Sequence, residues 1–155
     1  SINEIQLAME NGVITSKELV MYYLYRIAKY DQNGPKINSM LEINPEAIFI
    51  AEALDNERNL KGVRGLLHGI PIVLKDNIET KDSMHTSAGT IALANNLANQ
   101  DAFLVKKLRE AGAVVLGKAN IISVIFSFSM RDAIFAIFKS SGVIPSTPDK
   151  FPPNT

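Results

Sequence analysis

Two continuous apolar runs, residues 70–74 and 113–117, constrain the fold most. Short runs of this kind are typical of strands that are covered on both faces. Between them, residues 101–113 have Leu104, Leu108 and Ala111 on one helical face, with Asp101 as the expected N-cap and Gly112 as the stop. Apolar strands and helices that alternate in this way predict an α/β fold with at least some parallel pairing. Pro71 places the first strand at an edge or at a strand start.

The first half of the chain continues the same alternation. Thr15 and Glu18 form a capping-box pattern, which predicts a helix out to about Tyr30. Residues 37–43 are a strand candidate, and Asn44-Pro45 predicts the start of a second helix that runs to roughly Leu60. With 155 residues, of which 46% are hydrophobic and 21% charged, we expect one hydrophobic core and no internal repeat.

Charge and composition exclude several classes of function. Sixteen basic residues balance sixteen acidic ones without a run of like charge, so we expect no nucleic-acid partner. The absence of cysteine removes thiol nucleophiles and fits a reducing compartment, from which we expect a cytoplasmic protein. His68 and His85 lie 17 residues apart, so neither a metal site nor a cofactor is predicted. The N-terminus lacks the apolar segment of a secretory signal. The apolar run after Asn120 is interrupted by Arg131 and Asp132, so no membrane span is predicted.

Lys75 is the candidate for chemistry, because it ends the apolar run 70–74. One interpretation is a solvated charge at a strand end that pairs loosely with an acid. The other is a general base at the mouth of a site, which requires the neutral amine that an apolar setting favours. The adjacent Asp76 is not the obvious ion-pair partner, since successive side chains of a strand point to opposite faces. The residues alone leave both interpretations open.

Several motifs, in order, resemble the amidase signature family. Gly69-Ile-Pro followed by apolar residues and Lys75-Asp76-Asn77 is similar to that family's lysine motif. The stretch LREAGAVVLGKAN, residues 108–120, is similar to the helix and strand that follow it, and TSKEL at 15–19 and INSMLE at 37–42 match earlier segments. The resemblance covers roughly residues 1–120, and its specificity comes from the order of several motifs.

The resemblance implies the N-terminal portion of a mixed β-sheet flanked by helices. It also implies a serine hydrolase that cleaves carboxylic amide bonds of a small-molecule substrate with a Ser/cis-Ser/Lys triad. Lys75 would be the general base, with the proton relayed from the nucleophile through a hydroxyl.

The family's two serine segments are not found. Between residues 121 and 155, Gly142 is the only glycine, so no Gly-Gly-Ser loop is available for an oxyanion hole. Ser140-Ser141-Gly142 is a faint echo of the first serine segment. Equally, the stretch from Ser141 to Pro145 resembles a Gly-Val-Ile-Pro sequence that the family carries beyond both serines. We therefore divide the chain into an amidase-signature-like segment, 1–120, and a divergent tail, 121–155, that reflects a truncation, a deletion or a shifted frame.

Three functional hypotheses follow. The leading one is a truncated amidase-signature protein that is catalytically incomplete alone. The second is a non-enzymatic remnant or oligomerisation module that self-associates through the apolar segment 121–138. The third is that another chain supplies the missing residues. Near Lys75, the resemblance would allow the hydroxyls of residues 86–89 to line the site, but we expect them to cap a helix. Asp76 and Asn77 are expected to bond the turn after the strand. His85 could bind a substrate by a hydrogen bond, but we expect both histidines to be surface or loop residues.

Overall fold

The structure, a computed structural model, describes residues 1–120, so the apolar segment 121–138 and Ser140 and Ser141 lie outside the described residues. In residues 1–120, four α-helices and three strands are accompanied by one π-helical segment and one 3₁₀ turn. In chain order these are α1 Ile2–Glu10, α2 Ser16–Arg26, the π-helical segment Ile27–Gln32, β1 Met40–Ile43, α3 Ala47–Lys61, β2 Pro71–Lys75, the 3₁₀ turn Ile91–Leu93, α4 Phe103–Glu110 and β3 Val114–Ala119.

The three strands form one mixed sheet in the order β1-β3-β2. Strand β2 runs parallel to β3, with Lys75 opposite Ala119, whereas β1 is antiparallel to β3. This confirms the predicted fold class and the predicted parallel pairing. Within residues 1–120 β2 lies at the sheet edge, and Pro71 is its first residue, where a missing N–H costs no central ladder bond.

Helices α2 and α3 pack on one side of the sheet, which we call the helix-covered face. The capping box predicted for α2 is present, because the Thr15 hydroxyl accepts from the Glu18 amide and the Glu18 side chain accepts from the Thr15 amide. The buried cluster on this face joins both helices to strands β1 and β3; it comprises Val20, Ile27, Met40, Ala47, Ala51, Leu54, Val114 and Leu116. Apolar burial therefore holds this side together.

The opposite side of the sheet is the loop-covered face. Here Val105 of α4 packs on strand residues that alternate with those of the helix-covered face, namely Ile72, Leu74 and Val115. Residues 76–90, which we call the strand-end loop, leave the end of β2 and contribute the fully buried Met84 to the same cluster. The α4 helix thus returns the chain to β3 in the β-helix-β order expected of a parallel pair.

Two predicted helix starts are wrong in detail. Asp101 does not cap α4, whose N-cap is Ala102; its carboxylate instead accepts from the Lys81 amide and pairs with Arg109. Helix α3 begins after Glu46, although the Asn44 oxygen accepts from the Glu46 amide in the turn before it, while the buried Asn44 amide donates to the Val115 carbonyl at 2.8 Å. The Asp101 side chain is thus taken up by tertiary partners, whereas Asn44 makes a local bond and a tertiary bond at once.

His68 lies in the turn before β2, as the loop prediction expected, but a surface location is wrong because its side chain is fully buried. Its Nε2 lies 2.9 Å from the Leu54 carbonyl oxygen, and its Nδ1 accepts from the Arg64 amide at 3.2 Å. The positive φ of Gly112 lets the chain turn against this ring, since a Cβ there would lie 3.0 Å from the His68 Cα. His68 is therefore a satisfied core residue that ties α3 to the segment before β2.

Candidate functional site

Lys75 is the last residue of β2, at the edge of the sheet where the parallel strands β2 and β3 both end. It follows the apolar run that the sequence indicated, and it is partly exposed. Alternation along β2 places it on the same face as Val73, which packs against the helix-covered cluster. Its side chain has no hydrogen-bond or ion-pair partner within residues 1–120. Residues 1–120 therefore offer Lys75 no acidic partner of the kind that the interpretation as a loose ion pair requires.

Asp76 is buried directly after Lys75 and binds the returning half of the strand-end loop. Its Oδ2 accepts from the Ser87 hydroxyl at 2.5 Å and from the Gly89 amide at 3.4 Å, and Oδ1 accepts from the Ser87 amide at 3.4 Å. The prediction that Asp76 bonds the adjacent turn is therefore wrong, because its partners lie eleven and thirteen residues further on. A carboxylate with several donors is a strong anchor for a loop.

The hydroxyls of residues 86–89 also serve tertiary contacts. Thr90, just after them, is the N-cap of the 3₁₀ turn and accepts from the Ala92 amide. Ser87 binds Asp76 instead, and Thr86 accepts from the ammonium of Lys118. The expected helix cap within 86–89 is therefore wrong, and these hydroxyls hold the loop against the strand ends.

Lys118 is the residue that sequence reasoning missed. It lies on β3 opposite Leu74, has no exposed surface, and its Nζ donates to the Ile78 carbonyl at 2.5 Å and to the Thr86 hydroxyl at 3.1 Å. Burial lowers the pKa of Lys118 below its ordinary value, and the carboxylates of Asp82, Asp76 and Glu42 partly oppose that shift. The available signal was a lysine inside an otherwise apolar strand, VVLGKA.

Two further carboxylates bind side chains or amides that fix the strand-end loop to its surroundings. Glu42 of β1 accepts from the His85 amide at 2.7 Å, and its second oxygen lies 3.0 Å from the His85 Nδ1. At the far side, the Asp82 carboxylate accepts from Arg109 of α4 at 2.7 Å. His85 lies in the loop with two-fifths of its side chain exposed. Polar side chains of β1, β3 and α4 therefore bind the loop, which continues directly from β2.

An open cleft of about 440 Å³ lies beside these anchors. Its lining is mostly apolar and includes the two residues that Lys118 binds; the lining residues are Asn77, Ile78, Glu79, Thr86, Ala88, Leu93, Asn96, Ala102 and Leu104. The Asn96 amide is engaged, because it donates to the Thr86 carbonyl at 3.1 Å. A cleft of this kind can take an apolar group of a small molecule next to the strand ends.

Residues 1–120 contain no group of three or more histidine or acidic side chains placed to hold a metal ion. Across the same residues, no helix combines the length and the apolar character needed to cross a membrane.

Comparison with known proteins gives consistent matches. The family model described as Amidase matches residues 18–139. A putative amidase of Schizosaccharomyces pombe is 47% identical over 121 residues, which are 78% of this chain and 20% of the relative. One subunit of the glutamyl-tRNA(Gln) amidotransferase of Alkaliphilus metalliredigens is 32% identical over 149 residues, which are 96% of this chain and 30% of the relative.

The fold has solved counterparts as well. The native peptide amidase of Stenotrophomonas maltophilia superposes with a TM-score of 0.75 at 46% identity, over 77% of this chain and 24% of that structure. The chain thus spans about a fifth to a third of the length of the relatives it matches.

Proposed function

Because the chain belongs to the amidase family, we propose that it carries the lysine of an amide hydrolase, with Lys75 as the general base. The observation that carries this proposal is the position of Lys75. It ends β2 beside β3, it is partly exposed, and no side chain of residues 1–120 engages its amine. A base needs an unengaged amine within reach of the group that it deprotonates.

In the proposed reaction, the Lys75 amine accepts a proton that a bridging serine relays from the nucleophilic serine. The nucleophile attacks the amide carbonyl, the C–N bond breaks, and the relayed proton leaves with the amine product. Water then attacks the acyl-enzyme and gives a proton to the Lys75 amine through the bridging serine; the ester C–O bond breaks, the relay returns the proton to the nucleophilic serine, and the carboxylic acid leaves. We propose that the cleft beside the strand-end loop binds an apolar part of the small-molecule amide, since its lining is mostly apolar.

We propose further that these 155 residues are catalytically incomplete alone. Residues 1–120 supply the base, and residues 121–155 contain no Gly-Gly-Ser segment from which to build the serine loops and the oxyanion hole. Both features are what we propose for an amidase-family segment that lacks the two triad serines. Cytoplasmic location stays a prediction from the sequence.

The first test is an assay of the pure chain on simple amides and esters. We expect no turnover above buffer. Turnover that Lys75→Ala abolishes would show that the chain is complete, and would contradict this part of the proposal.

The second test supplies the missing residues in a separate chain. The peptide amidase of Stenotrophomonas maltophilia, with the segment that matches this chain removed, is coexpressed with the 155-residue chain. We expect amide hydrolysis from the pair and its loss with Lys75→Ala. The matched control is Lys106→Ala, which removes an exposed lysine of α4 and should leave the rate unchanged. Hydrolysis that survives Lys75→Ala would reject Lys75 as the base.

Self-association through residues 121–138 stays the alternative prediction, since that segment lies outside the described residues. Light scattering checks it: a concentration-independent monomer rejects the oligomerisation module.

A further inference from the structure

Lys118 is the lysine that residues 1–120 bury completely, and its buried ammonium has two specific acceptors. Leaving a cation in the interior is expensive, even when hydrogen bonds and neighbouring carboxylates offset part of the cost. A side chain that only filled space at this position could be apolar, as its strand neighbour Leu116 is. The contacts of Lys118 therefore point to a role beyond packing.

The first acceptor of Lys118 lies in the turn that directly follows Lys75. The Ile78 amide donates to the Lys75 carbonyl at 3.0 Å and closes that turn, while the Ile78 carbonyl accepts from Lys118 at 2.5 Å. The backbone of Lys75 is thus connected to β3 both through the strand ladder and, one turn later, through the buried ammonium.

The second acceptor, Thr86, lies on the returning half of the strand-end loop. Its neighbour Ser87 binds Asp76, so the two halves of the loop are joined at two adjacent points. One of these joints is on the residue after Lys75, and the other passes through Lys118. Removing the ammonium would leave the Ile78 carbonyl and the Thr86 hydroxyl without their shared donor.

We propose that Lys118 is a positioning residue, which holds the turn after Lys75 and the returning loop in register and thereby fixes where the Lys75 amine lies. The inference rests on the proposed function of Lys75. Lys118 acts through the backbone and does not touch the substrate.

The first test measures hydrogen exchange in the 155-residue chain and needs no activity. In Lys118→Met, a neutral side chain of similar length, we expect amides of residues 76–90 to exchange about tenfold faster, while those of α2 and α3 are unchanged. The control Lys107→Met removes an exposed lysine of α4 and should change neither region. Equal acceleration in the helices, or no acceleration in the loop, would overturn the proposal.

A pair of substitutions at Thr86 keeps the proposal testable if Lys118→Met does not fold. Thr86→Val keeps the shape and removes the acceptor, whereas Thr86→Ser keeps the hydroxyl. We expect faster loop exchange in Thr86→Val and near wild-type exchange in Thr86→Ser. Identical behaviour of the two variants would mean that the bond to Lys118 does not hold the loop.

The second test uses the coexpressed pair described above. A misplaced base slows the chemical step without weakening substrate binding, so Lys118→Met should lower kcat by up to about 10²-fold at unchanged KM. Thr86→Val should lower kcat as well. Thr86→Ser should restore kcat. A change in KM alone would contradict the positioning role.

The two proposals fail in different ways. If Lys75→Ala leaves hydrolysis intact, the function proposed for Lys75 fails whatever the exchange data show. If Lys75→Ala abolishes hydrolysis while Lys118→Met changes neither kcat nor loop exchange, Lys75 stands and the role of Lys118 is rejected.

Discussion

On the helix-covered face of the sheet, buried aliphatic side chains from two helices meet two strands. On the loop-covered face, apolar packing by α4 is joined by buried or half-buried polar anchors, among them Lys118, Asp76 and Asp82. The two lysines near the strand ends, Lys75 and Lys118, also lie on opposite faces of the sheet. Alternation in β2 puts Lys75 on the helix-covered face, and the pairing with Leu74 puts Lys118 on the other.

The two faces therefore serve different purposes: one stabilises the fold, and the other positions the atoms of a loop. Apolar burial is non-directional, so it stabilises a layer without specifying where a loop atom lies. Hydrogen bonds to charged groups are directional, and each anchor of the strand-end loop fixes a particular atom beside the end of β2. We therefore expect substitutions on the helix-covered face to change global stability, and those on the loop-covered face to change local order.

The largest expected effect is on the helix-covered face. Leu54→Ala removes a buried side chain of α3 and leaves a cavity, so we expect the free energy of unfolding to fall by about 2–5 kcal/mol. Urea denaturation of the full chain measures it. The matched control is Leu60→Ala on the same helix, where the side chain is 82% exposed and the expected change is small. If Leu54→Ala and Leu60→Ala lowered the free energy of unfolding equally, burial on the helix-covered face would not be what sets global stability.

A smaller and more local effect is expected for Asp76→Asn. The neutral amide is a weaker acceptor for the Ser87 hydroxyl and the Gly89 amide, so about 1.5–3 kcal/mol of local stability should be lost. Hydrogen exchange should report the loss in residues 76–90 and not in α3. Glu79→Gln changes an exposed acid of the same loop and serves as the control. Loosening of α3 to the same extent would show that the loop and the helix layer unfold as one unit.

The sequence predicted the short-range patterns better than the tertiary polar contacts, for a physical reason. The capping box of Thr15 and Glu18 and the apolar run before Lys75 are short-range patterns, and both appear in the structure. The partners of Asp101, His68 and Lys118 lie at distances along the chain that no local pattern encodes. For Lys118 the single available signal was a charge inside a buried strand.

The role of Lys75 depends on a different source of information. Its place at the end of a buried strand followed from the apolar run, whereas the role as a base came from the family resemblance. The structure adds that the carboxylate of Asp76, the acid next to Lys75, accepts a hydrogen bond from the Ser87 hydroxyl. The sequence could not reveal this, because Asp76 and Ser87 meet only when the loop folds back.

A third prediction concerns the alkaline limit of the helix-covered face. Burial raises the pKa of Tyr23 from 10.0 to about 12, so the unfolded chain loses this proton first as the pH rises. Stability should therefore fall between pH 10 and pH 12. With allowance for partial exposure, we expect about 1–2 kcal/mol of this fall to be absent in Tyr23→Phe. Urea denaturation at several pH values measures the difference between the two chains, and Tyr25→Phe, at an exposed position of α2, is the control. Parallel pH profiles for wild type and Tyr23→Phe would contradict the assignment.

The smallest expected effect has the opposite sign and belongs to the loop-covered face. The pKa of Lys118 is lowered from 10.5 by burial, so between its lowered value and 10.5 the unfolded chain binds more protons than the folded one. The contribution of Lys118 to the free energy of unfolding therefore rises with pH between these two pKa values, because its amine becomes neutral at a lower pH in the folded chain than in the unfolded chain. Three carboxylates offset part of the effect of burial on the pKa, which keeps the rise small.

Lys118→Met should lack this rise, so its stability relative to wild type should decline from pH 7 towards pH 10. Urea denaturation across that range, with Lys107→Met as the control, measures the decline. A constant difference would mean that Lys118 keeps its charge in the folded chain, and the two faces of the sheet would then differ in geometry but not in their response to pH.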